Sequence, residues 1–231
     1  ARAGPRPRYD EPHAQNGGSM DHQDWLERWQ PGNIGFHQAE GSRRLREFWP
    51  EMPKGARVLV PLCGKTVDLR WLSERGLEVV GVELSEIAAK AFFEEQSLDY
   101  ERTESSPLVA YRAKSTALTL YCGDYFEFRG PPFDALYDRA SLVALNGDLR
   151  PRYIEHTKSL LKPGAKQLLL TLEYDQSLVD GPPFSVLGPE VETYWPKLHR
   201  MKESEALETC PPRFKQAGVP TVSEVTWLGS T

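Results

Sequence analysis

Hydrophobic positions along the chain keep two different spacings, and each change from one to the other predicts an element. Residues 57–62 form a short apolar run rich in β-branched side chains, and the next apolar positions, Val67, Leu69, Trp71 and Leu72, are spaced for a helix. Cys63-Gly64-Lys65 is the turn between them. Gly76 closes that helix, and a second apolar run over 77–82 ends on Glu83. Strand, turn, helix and strand make one βαβ unit, which predicts two parallel strands.

The same alternation continues downstream. Ser85 caps a predicted helix carrying Ile87, Ala88, Ala91 and Phe92. Residues 98–114 are polar and irregular, either an insertion loop or a short ribbon. Residues 117–122 and 133–137 predict a third and a fourth strand, and 150–161 a helix with Tyr153, Ile154 and Leu160 inward. Lys162-Pro163-Gly164 turns the chain into a fifth strand over 167–172. A long loop follows over 174–189, of a length that suits a lid or a binding segment. A short helix is expected over 191–198. The segments 199–207 and 221–228 alternate weakly and predict two closing antiparallel strands, with Pro211-Pro212-Arg213-Phe214 as a loop between them.

Upstream of the βαβ unit, Trp25, Leu26 and Trp29 share a helix face that Pro31-Gly32-Asn33 ends, and a loop with Phe36 and His37 follows. Leu45, Phe48 and Trp49 predict another amphipathic helix, stopped by Pro50 and Pro53. Residues 1–19 hold almost nothing apolar. They read as a disordered tail added for expression ahead of a native start at Met20, or as a natural disordered arm.

Composition narrows the class. The 231 residues are 39% hydrophobic and 26% charged, which fits one globular domain over 20–231. No apolar segment approaches the ~20 residues of a membrane helix, and no signal segment opens the chain, so a cytoplasmic protein without a membrane partner is expected. Cys63, Cys122 and Cys210 lie far apart without CxxC spacing, so neither a metal site nor a disulfide is expected. A formal charge of −5 argues against nucleic acid as a partner. With no long exposed apolar run, a monomer is the simpler expectation.

The candidate chemistry comes from strand ends. In a parallel sheet the carboxyl ends lie side by side, so Gly64 and Glu83 border one crevice. A missing Cβ lets backbone approach a ligand, and a carboxylate can accept from both ribose hydroxyls. GxGxxG is absent, so a pyrophosphate is poorly provided for. A phosphate-free nucleoside such as S-adenosylmethionine suits the site better. Gly64-Lys65-Thr66 resembles the end of a GxxxxGK[ST] phosphate loop, but position 59 holds Leu59, inside the strand. The bland alternative is a tight turn beside a solvated Glu83. Asp124, after the third strand, occupies the same rim, either facing an adenine amino group or capping a helix. Asp138-Arg139, after the fourth strand, is either a local ion pair or a guanidinium facing the substrate, and the loop at Arg213 can return to the rim.

Five alternating strand and helix units with a closing hairpin resemble the S-adenosylmethionine-dependent methyltransferase fold. That resemblance implies an α/β, Rossmann-like, seven-stranded, mostly parallel sheet with helices on both faces and a C-terminal antiparallel hairpin. Trp25…Trp29…Phe36-His37-Gln38, Val60-Pro61-Leu62-Cys63-Gly64-Lys65, Gly81-Val82-Glu83-Leu84-Ser85, Asp138-Arg139, Gly181-Pro182-Pro183-Phe184 and Arg213 narrow it further. In that order and spacing they resemble the thiopurine S-methyltransferase family, as a bacterial member, over 21–228. The resemblance implies methyl transfer from S-adenosylmethionine to the sulfur of aromatic or heteroaromatic thiols, with S-adenosylhomocysteine as product. It implies that Trp29, Leu62, Gly64, Glu83, Asp124, Tyr125 and Arg139 hold the cofactor. Phe36, Arg139 and Arg213 would face the acceptor, Arg139 and Arg213 would carry the catalysis, and the N-terminal segment would fold over the site as a helical lid. Selenium or tellurium anions as acceptors remain open, as does a non-catalytic nucleotide-binding or nicotinamide-dependent protein of Rossmann type.

Overall fold

The structure, a computed structural model, describes residues 40–231. The tail expected over 1–19 and the expected lid with Trp25, Trp29, Phe36 and His37 lie outside the described residues. The first element, α1 (Arg43–Phe48), starts where the Ser42 hydroxyl accepts from the Leu45 amide at 3.2 Å and buries Leu45. The predicted βαβ unit follows as β1 (Arg57–Val60), α2 (Asp68–Ser73) and β2 (Glu78–Glu83), with β1 and β2 parallel. Ser85 caps α3 (Glu86–Glu95) as its position predicts, accepting from the Ala88 amide at 3.3 Å.

Beyond α3 the chain forms β3 (Tyr100–Ser105), β4 (Leu108–Ala113), β5 (Leu118–Cys122), β6 (Phe133–Arg139), α4 (Arg150–Leu160) and β7 (Leu161–Glu173). It closes with α5 (Gly188–Tyr194), β8 (Leu198–Glu205), α6 (Arg213–Gln216) and β9 (Ser223–Ser230). Spatial order is β3-β4-β5-β2-β1-β6-β7-β9-β8. The five central strands are parallel, while β3/β4, β4/β5, β7/β9 and β8/β9 pair antiparallel. The expected seven-stranded, mostly parallel sheet is therefore corrected to a nine-stranded mixed one. The extra pair is the 98–114 ribbon, which joins the edge beside β5. Its strand β3 exposes polar side chains, so no apolar run announces it, and charge along such an edge discourages pairing with another chain.

Helices cover both faces of the sheet. On one face Leu45, Leu69, Leu72, Phe92 and Phe93 of α1, α2 and α3 share a buried cluster with Val58 and Val79. On the other, Tyr153, Ile154 and Leu160 of α4 and Val191 of α5 pack with Leu59, Val80 and Val82. Successive residues of β1 and β2 are thus buried on opposite sides, which is why these strands read as unbroken apolar runs. Between them Gly81 has no room: a Cβ there would sit 2.4 Å from Leu120 Cδ2 and 2.8 Å from Cys63 Sγ. Gly81→Ala is expected to cost about 1–3 kcal/mol through overpacking, measurable as a lowered denaturation midpoint with an unchanged slope.

Candidate functional site

The carboxyl ends of the parallel strands open on a cavity of about 900 Å³, lined by residues from β1, β2, β6, β7 and the loops that follow them. Its first wall is the turn after β1. Leu62 and Gly64 both hold positive φ, at 43° and 55°. A non-glycine residue there costs about 1–3 kcal/mol, and such strain collects at ligand clamps. The turn is held from beneath by the Cys63 amide, which donates to the Val82 carbonyl at 3.1 Å.

Glu83 ends β2 as a buried carboxylate, 7% exposed. One of its oxygens accepts from the Gly64 amide and the other from the Ser85 amide, each at 2.8 Å. The bland expectation of a solvated Glu83 is overturned. A carboxylate with both oxygens on backbone amides has a fixed orientation. Gly64 and Glu83, paired in sequence only by spacing, are directly bonded.

After β5, Asp124 lines the cavity and caps the short 3-10 turn Tyr125–Glu127, accepting from the Phe126 amide at 2.8 Å. Capping and rim positions thus coincide in one residue. Tyr125 is buried and lines the cavity, its hydroxyl 2.9 Å from Thr157 Oγ1 and its ring met edge-on by His156 at 4.9 Å.

After β6, of the two readings of Asp138-Arg139, the local ion pair is not formed among the described residues. Neighbours on a strand point to opposite faces, and Asp138 turns into the α4 side, where it accepts from Tyr153 Oη at 2.7 Å and from the Ser141 and Leu142 amides at 3.2 Å. Arg139 lines the cavity, and among the described residues no hydrogen bond or ion pair engages its guanidinium. Burial holds the Asp138 carboxyl above its usual range despite those three donors. A folded-state value above the unfolded one means stability fully present below the unfolded pKa of about 3.9 and lost as pH rises through the folded value. Asp138→Asn keeps the acceptor for the two amides, so its melting temperature relative to the parent should rise between pH 4 and pH 7.

Arg213 is reached differently from its expected loop position: it is the first residue of α6, and it lines the cavity. Its guanidinium donates to the Pro182 carbonyl, while the Phe184 amide donates to Val143 O at 2.6 Å and Tyr174 Oη to Pro183 O at 2.7 Å. The Gly181-Pro182-Pro183-Phe184 segment is thereby tied down on the β6–β7 side of the cavity.

Two lining acids were not singled out by the sequence. Asp68, at the start of α2, is 1% exposed and accepts from the Ser42 amide at 2.7 Å and from Tyr137 Oη at 2.8 Å. Those partners lie far off in sequence, so its only local signal is that of an acid in a first helical turn. Glu224, on β9, lines the far side and accepts from Arg44 Nε at 3.3 Å. The cysteines are free. Burial raises all three thiols, Cys122 to about 12 and Cys210 to about 11, so none is a thiolate nucleophile at neutral pH. Among the described residues no group of three or more His, Cys, Asp or Glu is placed to hold a metal, and no helix is long and apolar enough to cross a membrane.

Residues 20–230 match the protein-family model described as Thiopurine S-methyltransferase (TPMT). The thiopurine S-methyltransferase of Pseudomonas fluorescens (strain Pf0-1) is 44% identical over 207 residues, covering 87% of this chain and 94% of that protein. That of Bordetella petrii is 44% identical over 181 residues, covering 76% and 82%. Among solved structures, the arsenic (III) S-adenosylmethionine methyltransferase CrArsM of Chlamydomonas reinhardtii superimposes with a TM-score of 0.57 at 14% identity, covering 84% of this chain and 71% of that one. TehB of Haemophilus influenzae does so with a TM-score of 0.55 at 14% identity, covering 91% and 66%. At that identity the two likenesses speak to the fold alone.

Proposed function

The chain belongs to the thiopurine S-methyltransferase family, and from that premise we propose how its cavity carries out S-adenosylmethionine-dependent methylation of thiopurine-type sulfur acceptors. The observation that carries the proposal is Glu83, whose carboxylate is fixed at the tip of β2 by two backbone amides. The donor set fits an adenosyl group without phosphates. Lys65, the cation nearest a phosphate-loop position, is paired with Glu95 at 2.5 Å, and a carboxylate stands where a diphosphate would be repelled. A cavity of about 900 Å³ falls within the ~300–1,000 Å³ of small-molecule sites.

In this assignment Glu83 accepts from the ribose hydroxyls, Leu62 and Gly64 let backbone approach the amino-acid end, and Asp124 and Tyr125 border the adenine. Trp29 and Phe36, which the family resemblance assigns to the cofactor and the acceptor, lie outside the described residues. When bound, S-adenosylmethionine supplies a methyl carbon activated by its sulfonium, which passes to the acceptor sulfur and leaves S-adenosylhomocysteine. The protein has only to hold a soft nucleophile in line and exclude water, and such positioning is worth about 7–11 kcal/mol. A heteroaromatic thiol is much more acidic than an alkyl one and is already substantially thiolate near neutral pH, so no strong base is required. Arg139 and Arg213, permanently cationic, steady that anion directly or through water.

The test is a side-by-side acceptor assay with 6-mercaptopurine, tellurite and selenite, together with thermal shift in S-adenosylhomocysteine and in NADH. Methylation of 6-mercaptopurine and stabilisation by S-adenosylhomocysteine alone are expected. Turnover of the inorganic anions without the thiol would reassign the acceptor, and stabilisation by NADH alone would remove the assignment altogether.

A further inference from the structure

The cavity is lined by both signs of charge, with Lys65 and Asp68 beside the turn after β1. Glu83 and Asp124 lie at the β2 and β5 ends, whereas Arg139 and Arg213 lie on the β6–β7 side, where the acceptor is placed above. Among the lining residues contributed by β7, β9 and the segments 182–184 and 209–213, one acid occurs, Glu224. It stands opposite Leu172 of β7 in the strand register, and Leu172 also lines the cavity.

Glu224 is only partly neutralised. Its side chain is 27% exposed, and its partner Arg44 is shared: Arg44 Nη1 donates to Glu47 Oε2 at 3.0 Å and Nη2 donates to Ser204 Oγ. The negative field of Glu224 reaches the loop that leads into Arg213. After burial, Glu205 and Glu224 are what raise the Cys210 thiol, three residues before Arg213. A site with two guanidinium groups and no acid would draw multiply charged anions most strongly, because field strength in a partly closed cleft grows with each unpaired charge. Glu224 offsets part of the positive charge that Arg139 and Arg213 bring to this side, so a second negative charge on the acceptor meets a weaker attraction than the two guanidinium groups alone would give.

Resting on the acceptor assignment above, we propose that Glu224 is a specificity-determining residue that sets the charge of the acceptor: it favours aromatic thiols whose only negative charge is on sulfur and disfavours those carrying a second anionic group. Arg44 acts through it, as a positioning residue whose removal strengthens the effect.

The experiment compares thiophenol with 4-mercaptobenzoate, which share a ring and a nucleophile and differ by a carboxylate. In Glu224→Gln the ratio of kcat/KM for 4-mercaptobenzoate over thiophenol is expected to rise about tenfold, the effect of one unit charge several ångströms away at intermediate dielectric, and the rise should shrink at high salt. In Arg44→Met the ratio is expected to fall. S-adenosylhomocysteine affinity, measured by calorimetry, should stay within about twofold in both, because the β2–β5 side is untouched. A merely structural role for Glu224 would lower both thiols together and leave the ratio unmoved. A ratio within about twofold of the parent in Glu224→Gln, with S-adenosylhomocysteine still bound, overturns the proposal. If that variant does not fold, an unchanged or increased ratio in Arg44→Met overturns it instead. A parent protein that methylates neither thiol defeats the acceptor assignment, and this inference with it.

Discussion

Glu83→Ala is expected to weaken S-adenosylhomocysteine binding by about 100-fold, or about 2.7 kcal/mol, with a much smaller effect on global stability. Two losses add. The carboxylate is assigned to the ribose hydroxyls, and hydrogen bonds to a charged group are worth about 1.5–3 kcal/mol. It also orients the Gly64 and Ser85 amides, both at 2.8 Å, so the turn after β1 and the start of α3 lose their common anchor. The isosteric Glu83→Gln should be nearly as damaging. Both carboxylate oxygens accept from backbone N–H groups, and an amide must aim its NH₂ at one of them, placing donor against donor. Calorimetry with S-adenosylhomocysteine distinguishes the outcomes: parent-like affinity in Glu83→Ala would remove the ribose assignment, and parent-like affinity in Glu83→Gln alone would show that one amide contact suffices.

What was legible in the sequence was what short-range pattern encodes. Residues 57–83 announce a strand, turn, helix and strand because both faces of β1 and β2 are buried, and Gly64 and Glu83 follow because they sit at the ends of those strands. Elements exposed to solvent were less visible. The β3–β4 ribbon appears only as an irregular polar stretch, since its outer strand buries no continuous face. Arg213, placed in a loop by the neighbouring Pro211 and Pro212, opens a one-turn helix, for which two prolines just ahead of the first turn are compatible. Of the two readings of Asp138-Arg139, the local ion pair is missing for a geometric reason: adjacency in sequence sends the two side chains to opposite faces of β6, one to Tyr153 and the other into the cavity. Asp68 and Glu224 were passed over because their partners are tertiary. Asp68 is recognised by Ser42 and Tyr137, and Glu224 by Arg44, 180 residues away. Nothing within a few residues of either distinguishes it from an ordinary helix-start acid or a solvated strand carboxylate.

Arg139→Met should lower kcat/KM for 6-mercaptopurine by about 100- to 1,000-fold, the usual cost of removing a preorganised group that stabilises charge at the reacting centre, and should lower S-adenosylhomocysteine affinity by much less. The asymmetry follows from where the charge sits. Arg139 ends β6 beside the turn holding Ala140 at a φ of 72°, and its guanidinium has no described hydrogen-bond or ion-pair partner to satisfy it. An anionic acceptor complements a permanent cation that lines the cavity. Arg213 differs, because part of its guanidinium is committed to the Pro182 carbonyl. Arg213→Met should therefore raise KM as well as lower kcat, by releasing the 182–184 segment from the wall it forms with Val143 and Tyr174. Separate determination of kcat and KM for the two variants checks the distinction. A loss in Arg139→Met confined to KM would mean that the guanidinium binds ground state and transition state equally and only gathers the acceptor. A loss in kcat at parent-like cofactor affinity places it against the sulfur during transfer.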